Sequence, residues 1–84
     1  MKDTIPIKRQ FSILNEAYAQ IIIEMSNGEF WSISIDGTTF NAFRVDYSKT
    51  DNEVLKIDWD SELTRGSLSD IRTAIWKTVN NIND

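Results

Sequence analysis

Apolar residues recur at every second position in "AQIIIEMSNGEFWSISIDG", residues 19–37, on both sides of a turn signal. On the first arm Ala19, Ile21, Ile23 and Met25 share one phase, and Gln20, Ile22 and Glu24 share the other. On the second arm Trp31, Ile33 and Ile35 oppose Phe30, Ser32, Ser34 and Asp36. Alternation of period two is the pattern of a strand with one buried face. A two-residue Asn27-Gly28 loop would pair Ile22 with Ile33 and Ile23 with Ser32, setting each apolar row against a polar one. A three-residue loop, Ser26-Asn27-Gly28 with Gly28 left-handed, instead sets Ile23 against Trp31, Ile21 against Ile33 and Ala19 against Ile35. The patterning selects the second register, which leaves Gln20, Ile22, Glu24, Phe30, Ser32 and Ser34 on the outer face.

The pattern continues through Asp36-Gly37, a turn dipeptide, into a third strand over about 38–48. There Phe40 and Ala42 sit in one phase and Phe43, Val45 and Tyr47 in the other. Either both faces are partly covered or a bulge near Ala42 shifts the phase. After the polar "SKTDNE", the segment "VLKIDWD" alternates Leu55, Ile57 and Trp59 with Val54, Lys56, Asp58 and Asp60. This reads as a half-buried strand with its acidic members toward solvent.

Ser67 is placed to cap a helix over 67–82, with Asp70 as an acidic variant of the capping box. Leu68, Ile71, Ile75, Val79 and Ile82 form one apolar stripe, and Trp76 falls at its edge. The stripe is expected to cover Ile21, Ile23, Trp31, Ile33, Leu55 and Ile57. Residues 5–18 admit two readings: a strand on Ile7, Phe11 and Ile13, or a helix on Phe11, Leu14 and Tyr18. Pro6 and the β-branched residues favour the strand. The expected fold is therefore α+β: an antiparallel β-meander of four to five strands packed against one C-terminal α-helix, with residues 1–84 as a single domain.

Composition narrows the chemistry. The 84 residues are 40% hydrophobic and 26% charged, which is ordinary globular composition near the lower size limit for a single core. There is no cysteine and no histidine, so disulfides, thiolate metal sites, imidazole ligands and the usual neutral-pH general base are all missing. The expectation is a non-enzyme with no cofactor and no metal site. "DWDSE" lacks the glycine-bearing loop spacing of a calcium site. No run approaches the roughly 20 apolar residues of a membrane span, and the N-terminus lacks a signal-peptide pattern, so a cytoplasmic location is expected.

The net charge of −4 is unevenly distributed. Asp46, Asp51, Glu53, Asp58, Asp60 and Glu62 face only Lys49 and Lys56 in the same segment, whereas the N-terminus carries Lys2, Lys8 and Arg9 against Asp3. Such an acidic segment suits a basic partner and disfavours a phosphate-binding surface in the second half. These six carboxylates, with Phe30, Tyr47 and Trp76 as apolar anchors, are the candidate partner-binding residues. The basic residues are scattered, with no phosphate-cradling or RNA-binding motif. The order of elements, sheet then helix, is similar to that of small single-strand-binding transcription cofactors, in topology only.

Small acidic cysteine-free chains of this kind are common among phage and mobile-element proteins. The expected function is thus a protein-binding inhibitor of anti-CRISPR or anti-restriction type, mimicking DNA charge to block a basic nucleic-acid-processing effector. The alternatives are a single-stranded nucleic-acid-binding module using the outer sheet face, or a toxin-immunity protein. Homodimerisation through the apolar part of that face is a further expectation to test.

Overall fold

The computed structural model describes residues 4–14, 19–47 and 55–82, with the backbone alone described at Leu14, Ala19, Tyr47 and Leu55. The fold is α+β: among the described residues six antiparallel strands, β1 (Ile7–Leu14), β2 (Ala19–Met25), β3 (Phe30–Asp36), β4 (Thr39–Tyr47), β5 (Leu55–Ile57) and β6 (Leu63–Arg65), precede one helix, α1 (Leu68–Val79). The first five follow the order β1-β2-β3-β4-β5, and β6 also pairs with β4. Residues 5–18 thus contribute a strand rather than a helix where they are described.

The central hairpin takes the three-residue register. Ile21 pairs with Ile33 and Ile23 with Trp31. The loop closes through Met25 N–H to Glu29 O at 2.8 Å and Gly28 N–H to Met25 O at 3.0 Å. Gly28 has φ of 93°, a value that costs a residue with a Cβ but not glycine. Asn27 adds its side-chain oxygen as acceptor for the Glu29 N–H at 3.0 Å.

One face of the sheet carries the main core. Ile23, Met25, Trp31, Ile33 and Ala42 meet Ile71 and Ile75 of α1, and Ile5, Ile7, Phe40, Leu63, Leu68, Trp76 and Val79 close the margins. Ile35 keeps the phase of Ile33 but is exposed. A bulge in β1 assigns its residues to faces: Ile7 pairs with Met25 and Arg9 with Glu24, so Lys8 is the extra residue. Ile7 therefore joins the helix side, while Phe11 and Ile13, placed with it by simple alternation, lie on the opposite side.

Helix α1 starts as its sequence requires, with Ser67 Oγ accepting from Asp70 N–H at 3.1 Å. It ends three residues earlier than the apolar stripe suggests. Asn81 adopts a positive φ of 55°, the Asn81 N–H donates to Thr78 O at 3.2 Å and the Ile82 N–H to Lys77 O at 2.8 Å. That is a Schellman stop with asparagine in the left-handed position. Ile82 is left outside the core, exposed.

The capping residue Asn80 also ties the two ends of the described chain together. Its side-chain oxygen accepts from Ile5 N–H at 2.5 Å, and its amide nitrogen donates to Ile5 O at 2.9 Å and to Trp76 O at 2.8 Å. Asn80→Ala strands these partly buried groups, and we expect a loss of about 1–2 kcal/mol of stability. Hydrogen exchange checks it: the Ile5 amide should lose protection, while core amides of β3 should exchange faster only in proportion to the loss of global stability.

Candidate partner-binding surface

The edge of the sheet beside β4 carries the main departure from the sequence reading. Val45 pairs with Ile57, and Ala42 with Leu63. Two residues of β4, Phe43 and Arg44, therefore stand opposite five, residues 58–62. Three of these, Trp59–Ser61, form a 3-10 turn. The segment expected as one continuous strand is thus two short strands separated by an extruded knuckle. Because the insertion is odd, the phase flips across it. Ile57 lies on the face away from α1, opposite Val45, and Leu63 lies under the helix; the expectation that the helix covers Ile57 is corrected accordingly. That for Leu55 concerns a side chain outside those described.

The knuckle is fixed by the hydrogen bonds it replaces. Asp58 N–H donates to Arg44 O at 2.9 Å, and Arg44 N–H donates to Ser61 Oγ at 2.8 Å. Within the turn Asp58 Oδ1 accepts from Asp60 N–H at 3.1 Å, and Asp58 O accepts from both the Ser61 N–H at 3.1 Å and its hydroxyl at 2.6 Å. The consequence falls on Trp59. Alternation places it in the core; the structure places it on the knuckle with 69% of its surface exposed. Its ring meets the Phe43 ring edge to face, with centroids 5.1 Å apart and planes at 71°.

The predicted carboxylates divide. Asp58 bonds Arg44 at 2.7 Å, and Arg44 reaches Glu29 at 3.6 Å. With its other oxygen capping the turn, Asp58 is a structural residue of the knuckle rather than a free acid. Asp46 is exposed and stands opposite Lys56 in the β4–β5 ladder. Asp60 and Glu62 are exposed and have no ion pair among the described residues. Asp51, Glu53 and the Tyr47 side chain lie outside the described residues. An open groove of about 580 Å³ brings Phe30, Asp46 and Asp58 together with Arg44, Lys56 and Ile57. Trp76 lies elsewhere, half-buried in a groove between α1 and β1 with Ile7, Leu68 and Arg72.

The sheet face away from α1 is more apolar than the central hairpin alone indicates. Two cross-strand rows lie on it: Phe11–Ile22–Ser32–Phe43 and Arg9–Glu24–Phe30–Val45–Ile57. The continuous β3–β4 register shows that β4 has no bulge and that both its faces are partly covered. Ile22 and Val45 are buried here, and Phe11, Phe30, Phe43 and Ile57 are half-buried. At the rim Arg9 lies 4.9 Å from the Phe11 centroid and hydrogen-bonds Glu24, with Lys8 at 3.6 Å from the same carboxylate. The Arg9 hydrogen bond holds the Glu24 carboxyl below the ordinary carboxylate range, against the opposing effect of burial.

A depressed folded-state value makes Glu24 stabilising above the ordinary glutamate range, and that contribution is lost as pH falls through the folded value. Urea midpoints of the wild type and Glu24→Gln should therefore differ at neutral pH and converge in acid. A gap that persists in acid would mean that the ionised pair is not its source.

Among the described residues no group of three or more acidic side chains converges to hold a metal ion, and no helix is long and apolar enough to cross a membrane. Comparison with family models, characterised proteins and solved structures finds no match.

Proposed function

We propose that this protein is a non-catalytic binding module that modulates a partner by engaging a basic protein surface through the β5–β6 edge. The observation that carries the reading is the Trp59 knuckle. A hydrogen-bonded three-residue insertion presents a large aromatic side chain to solvent, flanked by Asp60 and Glu62. Buried aromatic anchors ringed by polar groups supply most of the energy of protein interfaces. The acidic flank suits a Lys/Arg-rich partner and steers its approach. An inhibitor of anti-CRISPR or anti-restriction type, acting on the nucleic-acid-binding surface of an effector, fits this chemistry; a toxin-immunity protein would use the same surface.

The aromatic row of the outer face supports a second reading, a single-strand-binding platform, since bases stack on such rings. The cations at its rim, Arg9 and Lys8, are already engaged by Glu24, which weakens attraction to phosphate.

Affinity capture from an extract of the native host, at low and high salt and quantified by mass spectrometry, separates the two. Wild-type protein should retain basic proteins at low salt, and Asp60→Lys with Glu62→Lys should lose them. Equal capture by both forms would refute the acidic-edge reading. Salt-sensitive binding of an oligothymidylate, abolished by Phe43→Ala, would establish the second.

A further inference from the structure

We infer that the knuckle is built to receive an arginine side chain of the partner, stacked on the open face of Trp59 and hydrogen-bonded by Asp60 and Glu62. This rests on the protein-binding reading above and specifies the chemistry its central contact takes.

The knuckle leaves apolar surface and charge unsatisfied. An indole that is 69% exposed retains apolar surface whose burial is favourable. Phe43 approaches edge to face, with planes at 71°, so it braces the indole without covering it by stacking. The turn beneath is locked by the Asp58 cap and by the Ser61 hydroxyl in the β4 ladder, so a bound group would meet an ordered platform and little side-chain entropy would be lost.

The flanking charges then select the guest. Asp60 adjoins Trp59 within the 3-10 turn and Glu62 follows directly at its C-cap, so two exposed carboxylates lie within three residues of the indole. Arg44 neutralises Asp58, so the uncompensated acidity of the knuckle lies at these two positions. An aliphatic guest on the indole would strip water from two carboxylates and return nothing to them. A cation answers both needs: it is attracted to the ring face and to the acids. Guanidinium fits better than ammonium because it lies flat on a ring while its in-plane N–H groups remain free to reach carboxylates.

The test titrates the whole protein with three nine-residue peptides, of arginine, lysine and glutamine, following indole fluorescence and the Trp59 indole N–H resonance. Wild-type protein should bind the arginine peptide at least threefold more tightly than the lysine peptide and ignore the glutamine peptide. Trp59→Ala should weaken arginine binding tenfold or more, Trp59→Phe should restore most of it, and Asp60→Asn with Glu62→Gln should weaken it and flatten its salt dependence. All three positions are exposed, and circular dichroism verifies that the variants fold. Equal affinity for the arginine and lysine peptides, or arginine binding unchanged by Trp59→Ala, would overturn this inference while leaving an acidic protein-binding edge standing. Binding of neither peptide, together with binding of an oligothymidylate, would overturn both.

Discussion

Ile75→Ala lowers the stability of this protein by about 3 kcal/mol, within the range for deleting a fully buried branched aliphatic side chain. Ile75 has no accessible surface and lies centrally in the stripe of α1, with Ile71 one turn before it. Among the described residues the helix is the single layer over that side of the sheet, so neighbouring elements have little scope to close the resulting cavity. A domain of 84 residues has roughly 4–13 kcal/mol in total, and the substitution removes a large share of it. The melting temperature should fall by roughly 12–24 °C. Thermal unfolding followed by circular dichroism measures this directly, and a loss under about 1 kcal/mol would show that α1 is not seated on the sheet as described.

Ile22→Ala is expected to cost about 2–4 kcal/mol, although Ile22 faces away from the helix. Its position would ordinarily be solvent-facing, since the helix covers only the other side. Yet it has no accessible surface. Phe11 and Ser32 lie directly across from it, Phe43 continues the row, and Gln20 and Glu24 flank it along β2. These side chains form a second, thin core on the outer face. Ser34→Ala, on the same face of β3 but at the half-exposed margin, serves as the comparison and should change stability by less than about 0.5 kcal/mol. Chemical denaturation of the two variants should separate clearly. Similar midpoints would mean that the outer face is a simple solvated surface.

The two predictions together reflect how far pattern reading reaches. The hairpin register was legible because period-two alternation and a turn of defined length over-determine it: a one-residue slip exposes a whole apolar row. The helix start was legible because Ser67 and Asp70 act within one turn of each other. Its stop was also written, in Asn80-Asn81, but an apolar residue at 82 extended the stripe past it. The outer core was only half legible. Its members come from β1, β2, β3, β4 and β5, and no single strand announces that its second face is covered.

The candidate surface shows the same division. Asp58 and Asp60 were placed toward solvent by their phase in the chain; Asp60 is exposed, whereas Asp58 is half-buried and tied to Arg44. Trp59 was missed because alternation of Leu55, Ile57 and Trp59 fits a strand perfectly well over so few residues. A usable signal was present in "DWDSE": Asp58 and Ser61 are turn-forming residues whose side chains compete for backbone partners. Whether that competition prevails over strand pairing depends on what stands opposite.

By itself the sequence determined the class of fold, the register of the central hairpin, the beginning of the helix and the acidic bias of the second half, because each follows from residues close together in the chain. The tertiary structure alone decided which acids remain unpaired, that Ile22 is sealed, and that Trp59 faces water. Those outcomes depend on partners many residues away: Arg44 meeting Asp58, Ser61 closing the β4 ladder, and Phe11 lying beside Ile22. Local preference proposes a conformation for each segment, but packing and hydrogen-bond satisfaction between distant segments select which one persists.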